Sequence, residues 1–187
     1  PSIVFEAEKD FPEDLRATTF HPPTLDLLNT LDLADEFILL GRKAPTWRVT
    51  DFQSGESVEF DISIASEFTE HPYRLQCEQI NLTRLLYDRV RKIGITDVRF
   101  GAKVFDVLQS QDHVRVRYEN SELEGEISAG YVIGADGARS ATRRSVGLNL
   151  EGTTYPSVTW QATSRFPFER KVENLAVTNY FWTRTDS

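Results

Sequence analysis

The most informative part of the sequence reads Tyr131-Val132-Ile133-Gly134-Ala135-Asp136-Gly137-Ala138-Arg139-Ser140 and continues as Ala141-Thr142-Arg143-Arg144-Ser145-Val146-Gly147. A short apolar run, then small residues and an acid, then a helix-like segment, predict a buried strand, a tight turn and a helix start. Ser140 is a favourable N-cap and Gly147 a favourable helix stop. Asp136 would then lie at the carboxyl end of a strand, where open α/β sheets bind ligands. A generic strand–turn–helix joint is the alternative reading.

The composition of the 187-residue chain is that of a globular protein of one or two domains, with 40% hydrophobic and 11% aromatic residues. Its formal net charge of -8 argues against a nucleic-acid partner, because phosphate backbones require a basic surface. No apolar run approaches the ~20 residues that span a bilayer. The first residues lack the features of a secretion signal. We therefore expect a cytoplasmic protein with no membrane span and no nucleic-acid partner.

The cysteine and histidine pattern favours neither a disulfide nor a metal site. Cys77 is the single cysteine, so no internal disulfide can form, which suits a reducing compartment. His21, His71 and His113 are far apart in the sequence and form no pair at metal-ligand spacing. We expect no bound metal.

Periodicity predicts most of the remaining elements. Apolar residues at helical spacing predict helices that open at Pro22-Pro23 and that run from Leu82 to Ile93 before Gly94. Alternating patterns predict a hairpin over 47–52 and 58–64, and a meander over 103–110, 114–118 and 123–128. Further strands are expected at 2–5, 97–100, 158–163 and 176–182.

The run Gly-Ala-Asp-Gly-x-Arg-Ser, followed by Arg143, resembles a fingerprint of the class A, single-component FAD-dependent aromatic hydroxylases, which are related to p-hydroxybenzoate and phenol hydroxylases. Three weaker features follow the same family's order: an acid after a strand, an arginine, and a glutamine before a long helix. Two family signatures are absent, an N-terminal Gly-x-Gly-x-x-Gly turn and a C-terminal Gly-Asp motif. The sequence also lacks methionine, and we expect an internal fragment.

The resemblance implies which residues contact the cofactor. Asp136 and Gly137 would touch FAD, and the aspartate would also serve the nicotinamide donor. Glu6, directly after the first strand, would accept hydrogen bonds from ribose hydroxyls. The alternative for Glu6 is an ordinary surface glutamate.

Two further FAD contacts are implied between the ribose-binding acid and the long helix. Arg16 would reach the pyrophosphate, for which a planar guanidinium is well suited. Gln76 would contact the flavin cofactor, and Gln79 is a weaker candidate for that role. The alternatives are a solvated arginine and a polar residue that satisfies free amides at a helix start.

The implied fold class is α/β: an incomplete Rossmann-like FAD-binding fold with a three-stranded β-meander, plus part of an antiparallel-sheet substrate domain. The FAD-binding domain would comprise residues 1–36 and 70–150. The substrate-domain sheet would comprise residues 37–69 and 151–187. Both domains would be incomplete.

The implied activity is hydroxylation of a small, phenol-like aromatic substrate with O2 and NADH or NADPH, through a flavin hydroperoxide. FAD carries the difficult chemistry in such enzymes, so no catalytic side chain is assigned. A halogenase, an alkene epoxidase or reductase on the same scaffold, and a non-catalytic remnant remain open, as does a homodimer of the full-length protein. The chain alone is expected to bind FAD weakly and to be inactive.

Overall fold

A computed structural model describes residues 1–13 and 16–183. The chain forms two compact units, of which the first comprises Pro1–Pro12 and Asp88–Trp160 and the second comprises Glu13–Tyr87 and Gln161–Ser187. These boundaries differ from the predicted division into residues 1–36 with 70–150 and residues 37–69 with 151–187. That functional division stays a prediction.

Short strands outnumber helices in the described chain. The strands, in chain order, are β1 (Ser2–Phe5), β2 (Thr19–Phe20), β3 (Arg42–Ala44), β4 (Thr46–Asp51), β5 (Ser57–Asp61), β6 (Arg74–Gln76), β7 (Thr96–Arg99), β8 (Lys103–Gln109), β9 (Val114–Glu119), β10 (Glu124–Ala129) and β11 (Thr178–Trp182). The helices are α1 (Pro22–Asn29), α2 (Ala34–Ile38), α3 (Gln79–Ile93) and α4 (Ala141–Ser145). Single 3-10 turns cover Ile62–Ala65 and Phe168–Arg170.

The first unit combines a parallel strand pair with an antiparallel meander. Strand β1 pairs in parallel with β7, and β8, β9 and β10 form the three-stranded antiparallel sheet that the alternating pattern predicts. Val107 of β8 lies opposite Val116 of β9, and both side chains are buried. Helix α4 packs on β8, where the Val107 amide donates to the Ser145 hydroxyl at 3.0 Å. The predicted strands at 2–5 and 97–100 and the predicted meander are confirmed.

The second unit has a hydrophobic core beneath α1 and α2. Leu25, Leu33, Phe37 and Leu75 are its most deeply buried large side chains, and Phe37 meets the ring of Phe20 edge-on at 4.7 Å. In α1, Leu25 and Leu28 face the core, as the apolar spacing predicts, whereas Leu31 lies beyond the end of the helix and is 51% exposed. The small antiparallel sheet β2–β6–β3 contributes to this core through its central strand.

A second sheet of this unit has the order β11–β4–β5. The predicted hairpin is confirmed for β4 and β5, which pair antiparallel. Residues 62–64 of the predicted second strand instead belong to the 3-10 turn Ile62–Ala65. The expectation of an antiparallel substrate-domain sheet is wrong for its third strand, since β11 pairs with β4 in parallel. Parallel neighbours require a long connection, and the chain between Asp51 and Thr178 provides one.

Two predicted strands are absent from the described residues. The segment after β10 is irregular, and Tyr131 and Ile133 are 93% and 92% exposed. Residues 158–163 are irregular as well, with Trp160 91% exposed. An apolar run becomes a strand only when a neighbour completes its hydrogen-bond ladder, and no described strand pairs with either segment. The described chain is therefore a mixed α/β structure with several antiparallel sheets.

Candidate functional site

The Asp136 carboxylate lies at the start of α4 and accepts hydrogen bonds from two residues of that helix start. The Ser140 hydroxyl donates to Oδ1 at 2.5 Å. The Thr142 amide and hydroxyl donate to Oδ2 at 3.0 Å and 3.2 Å. Ser140 is also the N-cap, because its Oγ accepts from the Arg143 amide at 2.9 Å. The predicted cap is confirmed, and the aspartate reinforces it.

These hydrogen bonds determine the charge state of Asp136. Partial burial raises the pKa of this carboxyl, but hydrogen bonds from Ser140 and Thr142 outweigh that effect and lower the pKa from its ordinary 3.8 to about 2. At neutral pH the group is therefore an anion that only accepts hydrogen bonds. Such a group can bind hydroxyls or amides, and it has no proton to donate.

The loop between Asp136 and α4 is held by its own backbone geometry and by basic side chains. Gly137 adopts φ +70°, and a Cβ there would meet nothing within 4 Å, so the left-handed backbone, rather than crowding, favours glycine. Arg143 donates to the Gly137 and Ala138 carbonyls at 3.4 Å and 2.8 Å. The loop therefore presents an exposed, preorganised backbone turn beside an anionic carboxylate.

Glu6 follows β1 directly, as the sequence predicts. Its amide donates to the Arg99 carbonyl at 2.9 Å, and its own carbonyl accepts from the Ala102 amide at 2.9 Å. Its Oε1 accepts from the Glu8 amide at 2.9 Å. Among the described residues of the first unit, no hydrogen bond joins Glu6 to Asp136. Because Oε2 takes part in none of these bonds, the Glu6 carboxylate can still accept hydrogen bonds from hydroxyl groups.

The second unit holds the other predicted contacts. Arg16 is exposed on the loop before β2. The side-chain amide of Gln76 is engaged at both ends, since Oε1 accepts from the Thr19 hydroxyl and Nε2 donates to the Thr178 hydroxyl, each at 3.0 Å.

Gln79 is the first residue of α3 and is exposed. Its backbone amide donates to the Ala17 carbonyl at 3.1 Å. That bond brings the helix start beside the segment that carries Arg16.

Sequence reasoning missed a cluster around His71, which is only 6% exposed. Its Nδ1 lies 2.7 Å from Asp26 Oδ1, and the Thr69 hydroxyl donates to the same carboxylate. Hydrogen bonds from His71 and then from Thr69 lower the pKa of Asp26. The cluster ties α1 to the segment that precedes β6. Because Asp26 is separated from Thr69 and His71 by 43 and 45 residues, no local pattern could have identified the cluster.

Residues 1–13 and 16–183, which the structure describes, contain no group of three or more His, Cys, Asp or Glu side chains that could hold a metal ion. They also contain no helix of the length and hydrophobicity that crossing a membrane requires.

Comparison with known proteins gives one family and a consistent set of relatives. A family model described as an FAD binding domain matches residues 2–187. The chain is 33% identical over 172 residues, 90% of its length, to 6-hydroxy-3-succinoylpyridine 3-monooxygenase of Pseudomonas putida. It is 24% identical over 180 residues, 96% of its length, to para-nitrophenol 4-monooxygenase of a Pseudomonas species.

Solved structures agree with the sequence relatives. The crystal structure of p-nitrophenol 4-monooxygenase from Pseudomonas putida superposes with a TM-score of 0.78 at 26% identity and covers 82% of this chain. The anhydrotetracycline hydroxylase of Streptomyces rimosus gives a TM-score of 0.69 at 28% identity and covers 81%. The chain spans 43% and 41% of the two sequence relatives and 39% of the first structure.

Proposed function

Because the chain belongs to the FAD binding domain family, we propose that it is part of an FAD-dependent monooxygenase that hydroxylates a phenol-like aromatic substrate, with NADH or NADPH as electron donor and O2 as oxidant. The observation that carries this proposal is the preorganised Asp136–Gly137 turn, which joins an anionic acceptor to an exposed backbone. The two sequence relatives named above are both monooxygenases of ring compounds, which supports the same reaction class.

At the level of the fold, we propose that the first unit is part of a Rossmann-like nucleotide-binding fold. The parallel pair β1–β7, the Glu6 carboxylate at the end of β1 and the antiparallel meander support this assignment. The β11–β4–β5 sheet of the second unit is then proposed as part of the substrate domain.

The donor and acceptor set of the first unit fits a flavin dinucleotide. Ribose and ribityl hydroxyls are donors, and the Glu6 and Asp136 carboxylates are acceptors of the matching kind. Asp136 already accepts three hydrogen bonds from Ser140 and Thr142, so we assign the cofactor mainly to its remaining lone pair and to the Gly137 backbone. Bound FAD would supply the redox chemistry. These residues would bind and orient it.

In the second unit, we propose Arg16 as a pyrophosphate contact because its guanidinium is exposed and can make paired, charge-assisted hydrogen bonds. The geometry favours Gln79 over Gln76 for the glutamine contact. Binding FAD through the Gln76 side chain would require it to give up its bonds to Thr19 and Thr178. Gln79 would only have to redirect an exposed side chain.

The proposal is tested by titrating FAD with the chain and with the protein encoded by the whole open reading frame, and by following NADH and NADPH oxidation with and without phenols. We expect weak flavin binding by the chain and, for the whole protein, oxidation that phenols accelerate. Product analysis separates hydroxylation from halogenation, epoxidation and reduction. A whole protein that binds no flavin, or that oxidises neither nicotinamide, would refute the proposal.

A further inference from the structure

Helix α4, which follows the Asp136–Gly137 turn, is fastened to strand β8 by polar contacts of Ser145. The Ser145 hydroxyl accepts a hydrogen bond from the Val107 amide at 3.0 Å and donates to Asp106 Oδ1 at 3.2 Å. Strand β8 lies at the edge of the meander, and an edge strand has amides that its own sheet does not pair. Because Val107 is buried, Ser145 satisfies a donor that would otherwise be left without a partner.

An irregularity in β8 places Asp106 for this contact. The pairing of β8 with β9 shifts by one residue just before Asp106, so Phe105 is an extra residue, as in a β-bulge. Asp106 thereby lies opposite Arg117, with Oδ2 3.8 Å from Arg117 Nη1. Without the extra residue Asp106 would lie opposite Val116, which is on the buried face of the sheet. The bulge therefore turns the carboxylate towards α4.

The same short helix carries the contacts of Asp136. Thr142 donates to Asp136 Oδ2 through both its amide and its hydroxyl, and residues three apart lie on the same side of a helix, as Thr142 and Ser145 do. A Cβ on Gly134 would meet Thr142 Cβ at 3.0 Å, so the chain before the turn also packs closely on Thr142. Since α4 has only five residues, a displacement of its Ser145 end also displaces Thr142.

We propose that Ser145 and Asp106 are positioning residues for FAD. By fixing α4 on β8, they hold the Asp136–Gly137 turn in the geometry in which it contacts the flavin dinucleotide. Both act through Asp136, and neither is assigned a contact with the cofactor. The meander thus takes part in cofactor binding through α4. The inference rests on the proposed function, because it takes FAD to be the ligand of the turn.

The first test needs no flavin. Amide hydrogen exchange of Thr142, whose amide donates to Asp136, is measured by NMR in the chain at neutral pH, and it reports how often the turn opens locally. Ser145→Ala should accelerate this exchange about fivefold, which is the effect of losing one hydrogen bond of ordinary strength. Ser145→Thr keeps the hydroxyl and should restore slow exchange.

Two further positions supply matched variants for this test. Asp106→Asn keeps an oxygen that can accept from Ser145 and should exchange like the wild type, whereas Asp106→Ala should behave like Ser145→Ala. Val116→Ala leaves a cavity in the meander without removing a contact of α4. It should lower the stability of the sheet and leave exchange at Thr142 unchanged.

The second test measures FAD affinity by flavin fluorescence in the protein encoded by the whole open reading frame. Ser145→Ala should weaken FAD binding about fivefold, Ser145→Thr should regain most of the affinity, and Val116→Ala should keep it. Because Ser145 acts through Asp136, the two effects should not add. In an Asp136→Asn background, Ser145→Ala should weaken FAD binding by less than about twofold.

The outcomes separate this inference from the proposed function. Equal exchange at Thr142 in the wild type and in Ser145→Ala overturns the inference alone, whatever the flavin result. Additive losses of affinity in the double variant also overturn it, because Ser145 would then stabilise the fold without acting through Asp136. A wild-type whole protein that binds no FAD refutes the proposed function, and the inference with it.

Discussion

Replacement of Asp136 by asparagine should destabilise the start of α4 in a pH-dependent way. The fall of the carboxyl pKa from 3.8 to about 2 corresponds to roughly 2.4 kcal/mol of folding free energy, at about 1.36 kcal/mol per unit of pKa shift. Asp136 is exposed, and solvent screening reduces this value to about 1 kcal/mol. Because the folded-state pKa lies below the unfolded one, the stabilisation is complete above about pH 4 and is lost as the pH falls towards 2.

The assay is urea unfolding of the wild-type chain and of Asp136→Asn at a series of pH values from 7 to 2.5. The two unfolding free energies should differ by about 1 kcal/mol at pH 7 and converge below about pH 4. Glu122→Gln is the matched control, because this exposed glutamate in the β9–β10 turn makes no comparable contact and its removal should change little. A gap that stays constant over the whole pH range, or that equals the Glu122→Gln effect, would refute this reasoning.

Three further perturbations have defined outcomes. Phe37→Ala leaves a cavity in the core of the second unit, where Phe37 is fully buried, and should cost about 3–5 kcal/mol in urea unfolding. Asp26→Asn breaks the bond to His71 and should cost about 1 kcal/mol at pH 7. Because the Asp26 pKa is lowered, that cost should vanish in acid, and a pH-independent cost would argue against it. Gly41→Ala puts a Cβ 2.8 Å from the Gln76 carbonyl and should lower the unfolding free energy by about 1–3 kcal/mol. An unchanged urea midpoint would show that the turn shifts to accommodate the added methyl group at no cost.

The sequence predicts the elements whose signal is local. Proline at the start of α1, the leucine spacing of α3 and the alternation of the meander each depend on neighbouring residues, and the structure confirms each element. The Ser140 cap is likewise readable, because capping involves residues within one helical turn.

Features that depend on residues distant in the chain cannot be predicted from local sequence in the same way. The run at Tyr131–Ile133 has the composition of a buried strand but finds no pairing partner among the described residues. The parallel placement of β11 against β4 depends on how the intervening chain folds. In the candidate site, Asp136 and Gly137 could be chosen by motif, but the choice between Gln76 and Gln79 required knowing that Thr19 and Thr178 occupy the Gln76 amide.

The most direct measurement of the proposed activity uses 18O2 with the protein encoded by the whole open reading frame, FAD, NADPH or NADH, and a phenol. With labelled O2, mass spectrometry of the product should show one added oxygen atom that carries the label. With labelled water and ordinary O2, the product should be unlabelled. A hydroxylated product whose new oxygen comes from water, or consumption of nicotinamide with no oxygenated product from any phenol tested, would contradict the assignment as an aromatic-ring monooxygenase.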